Sequence, residues 1–311
     1  VQGNAGAGRF TMTQESITDL PGFPKCIKLD CTTADTNIAA TERLFIQTKI
    51  EGRDLQATKK GTSEAEAITV SFYAKANASF KYVVALLDVD NNRYAGSTFD
   101  VTSSWQRFIV TFPADTDDGS SPFDNDNGDS LNLRFFIHAG SDYTSGTLSS
   151  TFANTNNANT YDSNADSFYS STDNNFFLTG VQMEVGSVAT PFEHRSFAEE
   201  ADLCKRYFFS TLYRAGGYHS GNAASFSLQQ GMRLTGGDVS NAVLTVGSNK
   251  NGAVVKDGGT RAGHSMSAVA LSSASNDNSL VCSATMNITL GSGDAAIGGG
   301  ININVDIDME L

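Results

Sequence analysis

Three features of the sequence predict an all-β protein. Apolar and polar residues alternate in short runs, turns rich in Gly, Asn and Asp separate the runs, and only one short stretch, near residue 200, carries helix-start signals. A chain of 311 residues suits two domains. The expected architecture is a jelly-roll β-sandwich over 1–193, a helical joint over 194–208, and a second, small Gly-rich β-sandwich over 209–311.

The strands of the first domain follow from period-2 patterning. Ile68, Val70, Phe72 and Ala74 alternate with Thr69, Ser71, Tyr73 and Lys75. Tyr82, Val84 and Leu86 alternate with Val83, Ala85 and Leu87, a run apolar on both faces and suited to a central strand. Phe108, Val110 and Phe112 share one face, and Leu131, Leu133, Phe135 and Ile137 share another. Residues 52–66 read as a helical or looped excursion in which Gly61 can end a turn. The polar segments 88–97 and 115–130 read as loops.

Residues 141–175 are mostly Ser, Thr, Asn, Asp and Gly, with aromatic residues placed singly. A segment of this length is too long for an ordinary loop, and a strand follows it at once. It is therefore an insertion within the sandwich: functional, packed on a neighbour, or disordered. In the next strand Val181, Met183 and Val185 alternate with Gln182, Glu184 and Gly186, and Pro191 ends the pattern. Ser196 precedes Glu199 by three residues, the spacing of a capping box. The joint helix so started carries Phe197, Leu203, Cys204 and Tyr207, expected to be covered by the chain's own domains or by symmetry mates. At the far end Ile301, Ile303, Val305, Ile307, Met309 and Leu311 alternate with Asn302, Asn304, Asp306, Asp308 and Glu310, a closing strand with one wet face.

Net charge is −13, and residues 1–193 hold most of it, with 24 acidic and 13 basic side chains. Without a basic stripe, nucleic acid is not expected as a partner. No run approaches the ~20 apolar residues that span a bilayer, so no membrane insertion is expected. The chain opens VQGNAGAGRF, without an initiator Met or a signal-peptide pattern, and is expected to begin inside a longer protein or after processing. Cys26, Cys31, Cys204 and Cys282 show no metal spacing. Cys26 and Cys31 would face opposite sides of one strand and could not bridge, so buried, inert thiols are expected. Asp124, Asp126 and Asp129 crowd one loop and could hold a structural Ca²⁺. The EF-hand spacing is not met, because Gly128 stands where a ligand belongs.

Two resemblances add to this reading. Val181, Gln182, Glu184–Gly186, Ala189–Ser196, Glu199, Glu200, Cys204, Arg206 and Tyr207 match a recurring junction, VQ-hydrophobe-EVG…ATPFEHRS, that resembles one closing a jelly-roll module in structural proteins of tailed, marine-type bacteriophages. The resemblance implies a virion-surface protein assembled in the host cytoplasm, a homotrimer, contacts with other virion proteins, and joint or interface roles for His194, Arg195, Phe197 and Tyr207. Met232 and Arg233 match a further Met-Arg pair of such proteins, without its flanking prolines, and the acidic last strand implies a natural end. Segments 67–77, 88–92 and 102–112 (AITVSFYAKAN, DVDNN, TSSWQRFIVTF) are similar to carbohydrate-binding jelly-rolls of glycoside hydrolases and phage fibres. There Trp105 either packs at a strand start or lies open for sugar stacking, and a structural Ca²⁺ is common.

Tyr143, Tyr161, Phe168 and Tyr169, in the polar insertion, are further glycan-contact candidates, because a planar ring offers the apolar face that sugar C–H groups pack against. The alternative is that these rings tack the insertion onto its own domain or onto a neighbouring subunit. No catalytic residues are assigned: His138, His194, His219 and His264 are scattered, and neither HExxH nor Gly-x-Ser-x-Gly occurs. The expected function is non-enzymatic adhesion of a virion fibre or spike to host-surface polysaccharide. The alternatives are a capsid decoration or vertex fibre, and a polysaccharide depolymerase spike.

Overall fold

Each alternating run of the first domain forms a strand. The computed structural model describes residues 9–116 and 121–204 with their side chains, together with the backbone of a strand at Gln2–Gly3 and of seven strands between Phe208 and Asp308. It divides into two compact units, residues 1–194 and 195–311.

The first unit contains β1 (Gln2–Gly3), β2 (Phe10–Ser16), β3 (Lys25–Cys31), β4 (Arg43–Glu51), β5 (Ile68–Ala76), β6 (Phe80–Asp88), β7 (Arg93–Val101), β8 (Gln106–Phe112), β9 (Asp129–Ala139), β10 (Ala153–Asn154) and β11 (Asn175–Val185). Two antiparallel sheets result, a six-stranded one in the order β1-β4-β9-β6-β7-β10 and a five-stranded one in the order β2-β3-β11-β5-β8. Apart from the consecutive pairs β2-β3 and β6-β7, neighbours in each sheet are distant in sequence, as in a jelly-roll-like sandwich. Between the sheets lie the predicted inward residues: Ile68, Val70, Phe72 and Ala74 from β5, Tyr82, Val84 and Leu86 from β6, and Leu131, Leu133, Phe135 and Ile137 from β9. Phe72 meets Phe99 and Phe135 edge-on at centroid distances of 5.0 and 4.9 Å, geometry that aromatic quadrupoles favour.

β6 is central, between β7 and β9, and its second apolar face is buried too. Val83 and Ala85 join Phe45, Tyr94 and Phe136 on the outer side of the six-stranded sheet, and Tyr143 and Tyr161 of the insertion close over them. The insertion is thus a third layer on its own domain. It contains a one-turn helix, α1 (Ser141–Thr144), and short 3-10 turns at Asn157–Asn159 and Phe168–Ser170. Its polar composition satisfies its own backbone: Asn156 and Ser167 side chains accept the amides of Ala158 and Tyr169. Tyr94 Oη donates to Thr160 O at 2.5 Å, Tyr161 Oη to Asp166 O at 2.8 Å, and the Lys81 amide to Asp166 Oδ2 at 2.7 Å. Gly96 permits the close approach, since a Cβ there would sit 2.8 Å from Leu148 Cδ1.

The excursion after β4 is a 3-10 turn over Gly52–Thr58, ended by Lys59 in the left-handed conformation, with Gly61 at φ +76°. Lys60 then reaches a buried ion network. Its Nζ lies 2.8 Å from Asp88, and Arg93 holds Asp115 through two bonds of 2.8 Å. Asp115, at the start of a segment that reads from sequence as a polar loop, is buried, and a bidentate guanidinium neutralises it.

β11 contains one departure from simple alternation. Its register with β5 shifts between Thr179 and Gln182, where Gly180 adopts φ +58°. The bulge inverts the faces: Phe176 and Leu178 point inward before it, and Met183 packs against the core after it. Val181 and Val185, in phase with Met183, are nonetheless 36% and 45% exposed, Val181 lying within the bulge and Val185 at the last position of the strand. Cys26 and Cys31 are buried free thiols, and burial pushes both up from the ordinary thiol range; Cys204 is exposed, and Cys282 lies outside the residues whose side chains are described.

In the second unit α2 (Phe197–Cys204) starts with the predicted capping box. The Glu199 amide donates to Ser196 Oγ at 3.3 Å, and the Ser196 amide donates to the Glu199 carboxylate at 2.8 Å. That reciprocal bonding holds the Glu199 carboxyl below its usual range. Phe197 and Leu203 of this helix are 89% and 52% exposed. Beyond, β12 (Phe208–Tyr218), β13 (Ser225–Arg233), β14 (Val243–Val246), β15 (Asn251–Val255), β16 (Arg261–Ala274), β17 (Ser279–Met286) and β18 (Ala295–Asp308) pair antiparallel. Tyr207 and the side chains of these strands, including Met232, Arg233 and the acidic face at Asp306, lie outside the described residues.

Candidate functional site

The outer face of the five-stranded sheet gathers aromatic and charged side chains that are far apart in sequence. Alternation places them there. Tyr73 and Lys75 flank buried Ala74, Phe177 lies between buried Phe176 and Leu178, and Lys28 and Asp30 flank buried Leu29. Register then sets Phe177 directly between Lys28 on β3 and Lys75 on β5.

Trp105, in the turn before β8, meets the Phe177 ring edge-on at 6.2 Å. The Lys75 ammonium lies 5.0 Å from the centroids of both rings, and Lys28 lies 5.6 Å from Phe177. These are cation–π distances. Asp19 fixes the arrangement: one carboxylate oxygen accepts Trp105 Nε1–H at 3.0 Å, and the other pairs with Lys75. Both bonds hold the Asp19 carboxyl below its usual range, Lys75 first and Trp105 second. Lys28 pairs with Asp30 at 2.9 Å. Trp105, Phe177 and Tyr73 remain partly exposed. The platform can therefore offer ring surface and several hydrogen-bonding groups to one ligand. Beside it, between β2, β3 and β11, opens a groove of about 490 Å3 lined by Met12, Gln14, Ile27, Leu178 and Val181, with Thr179 at its platform side.

The other half of this face is covered by the chain leaving β11. Gly186, at φ +112°, turns the backbone, its amide donating to Ala67 O and its carbonyl accepting from Thr69 Oγ1, both at 2.7 Å. Glu184 then accepts from the Thr190 amide and hydroxyl, and Gln182 Oε1 accepts the Glu193 amide at 2.8 Å. These bonds, the Thr190 side chain foremost, hold the Glu184 carboxyl below its usual range. Arg107 donates to Thr190 O and to Ser71 Oγ. Phe192 and His194 pack on Phe23 at 5.0 and 5.2 Å, and Phe23 packs on Tyr73 at 4.9 Å. The residues of the junction pattern are thus a strap: Gln182 and Glu184 hold it, Gly186 starts it, and Phe192 and His194 seat it. His194 serves the sandwich, and Arg195 pairs with Glu200 of α2 at 3.3 Å.

Of the sequence candidates, Trp105 alone belongs to this platform. Tyr143, Tyr161, Phe168 and Tyr169 are corrected as glycan contacts: they are 7%, 1%, 0% and 0% exposed, and no ring face is open for stacking. Their rings fill the outer layer and the main core instead. Phe177, Tyr73, Lys28, Lys75 and Asp19 were missed. The available signal was an aromatic residue on the polar phase of a strand, at Tyr73 and Phe177, but cross-strand register is not legible from one strand.

The Ca²⁺ reading of Asp124, Asp126 and Asp129 is also corrected. Asp126 Oδ1 accepts the Gly128 amide at 2.7 Å and Asp129 pairs with Lys49 at 3.4 Å, so these two carboxylates serve different partners. No group of three potential ligands converges among the described residues. Elsewhere Asp35 and Glu42 do converge, but on Arg9, whose guanidinium lies 2.8 and 2.7 Å from them and supplies the cation.

No protein-family model and no curated protein matches the sequence. Among solved structures the chain is similar in fold to a CBM4 carbohydrate-binding module, at 12% identity over 58% of this chain and 81% of that one, with a TM-score of 0.28. The CBM22-1 xylan-binding domain of Paenibacillus barcinonensis Xyn10C gives 10% identity over 60% and 86%, with a TM-score of 0.30. A putative sugar-binding protein of Bacteroides thetaiotaomicron gives 12% over 58% and 85%, with a TM-score of 0.28.

Proposed function

We propose that this protein binds carbohydrate, without catalysis, through the outer face of its five-stranded sheet. The observation that carries the reading is the Trp105–Phe177 platform. Two partly exposed rings share one ammonium, and carboxylates and further amines stand at their rim. A sugar ring presents C–H groups to an aromatic surface and hydroxyls to such rim groups.

The biological setting we propose is a virion fibre or spike that attaches a tailed phage to host-surface polysaccharide. The junction supports it, because every strap residue with a structural task belongs to the pattern that resembles a junction of phage structural proteins. A reading in which contacts to other virion proteins dominate draws on α2: exposed Phe197 and Leu203 suit a homotrimer or a virion neighbour.

Affinity electrophoresis in soluble polysaccharides tests the binding, comparing the full chain with Trp105→Ala and Phe177→Ala. Retardation by at least one polysaccharide should fall at least tenfold in both variants. Unaltered retardation in both would remove the platform from the reading. Immunogold labelling of intact particles tests the setting, and a label absent from virions would overturn it.

A further inference from the structure

We infer that Arg43 and Arg134 form an oxoanion-binding site on the outer face of the six-stranded sheet, independent of the carbohydrate platform. Both guanidinium groups lie against one ring, their Cζ atoms 5.6 and 4.7 Å from the Phe45 centroid. Arg43 also lies 5.0 Å from the Tyr143 ring, so the insertion forms one wall. Arg134 Nε donates to Gln47 Oε1 at 2.7 Å, which orients the guanidinium and leaves its terminal N–H groups for a ligand.

Charge makes the arrangement unusual. In a domain where acidic side chains outnumber basic ones 24 to 13, neither arginine has a carboxylate within ion-pair distance among the described residues. The nearby Asp129 is paired with Lys49. Arg134 is half-buried, and removal from water, with the like charge of Arg43 adding to it, draws its pKa down to about 10. A cation drawn from water beside a second like charge, with no described carboxylate paired to either, is unfavourable unless something supplies a counter-charge. The complementary ligand is an oxoanion, either the tetrahedral sulfate or phosphate type or a planar carboxylate, which a guanidinium binds through two parallel N–H bonds.

The test uses thermal unfolding of the full chain at low ionic strength, titrated with sodium sulfate, sodium acetate, and sodium chloride as the ionic-strength control. Sulfate or acetate should raise the midpoint saturably above the chloride curve, the larger response identifying the anion geometry. Arg134→Gln should abolish that excess, and Arg43→Gln should shift its half-saturation at least tenfold. Coincidence of all three salt curves would overturn the site, as would an undiminished excess in both variants. Should Arg134→Gln fail to fold, the less central Arg43→Gln decides the matter alone.

Discussion

Trp105 Nε1 donates to Asp19 Oδ1 at 3.0 Å, across 86 residues of sequence, and the same carboxylate pairs with Lys75. One exposed acid therefore orients the indole and the ammonium that share the platform. Asp19→Ala should weaken polysaccharide retardation severalfold, because Trp105 loses its anchor. Stability should change by no more than about 0.5 kcal/mol, as for other exposed pairs. Equal retardation in a folded variant would separate Asp19 from recognition.

Tyr161→Ala should destabilise the sandwich by about 3–5 kcal/mol, the range for a fully buried aromatic side chain. The ring closes the outer layer over Phe136, 6.1 Å away, and its hydroxyl bonds Asp166 O. Chemical denaturation measures the loss, and limited proteolysis should then cut first in 141–167. A change below about 1 kcal/mol would mean that the insertion contributes little to the fold.

Stability should fall in mild acid through His138. This ring is buried, with Nδ1 2.8 Å from Ser167 Oγ and an edge-on contact to Tyr169 at 4.9 Å. Burial lowers its pKa from 6.5 to about 4, and Glu42, 3.8 Å from Nε2, opposes the shift only in part. The unfolded chain therefore takes up the proton first. The contribution is complete above about pH 6.5 and is lost as pH falls towards 4, on the order of 3 kcal/mol. Denaturation midpoints between pH 4 and 7 check it, and His138→Gln should flatten the slope.

Gly180→Ala should cost about 1–3 kcal/mol, since an L side chain is strained at φ +58°. The added Cβ would also sit 2.7 Å from Phe23 Cε1 and 2.9 Å from Tyr73 Cδ2, displacing the rings on which the strap rests. Calorimetry should show a lowered midpoint. An unchanged midpoint would mean that the bulge can be lost without cost.

The sequence by itself determined the strands, because side chains of a strand alternate and burial writes that alternation into composition. Residues 68–75, 82–87, 108–112 and 131–137 are legible for this reason, and so is the Ser196–Glu199 helix start, whose bonds span three residues. What only the tertiary structure decided depends on register and on layering. A single Gly180 bulge shifts the phase of β11, so Met183 packs inward where plain alternation from Leu178 would turn it out, and Gln182 and Glu184 reach the strap. The insertion reads as solvated because Asn, Ser and Thr dominate it. It is nonetheless packed, since those side chains satisfy its own backbone and a few irregularly spaced rings supply the burial. The platform at Trp105, Phe177 and Lys75, like the arginine pair at Phe45, exists only once strands distant in sequence lie side by side. No local pattern records such neighbours, because the hydrogen-bond ladder that pairs them is made by backbone groups common to every residue.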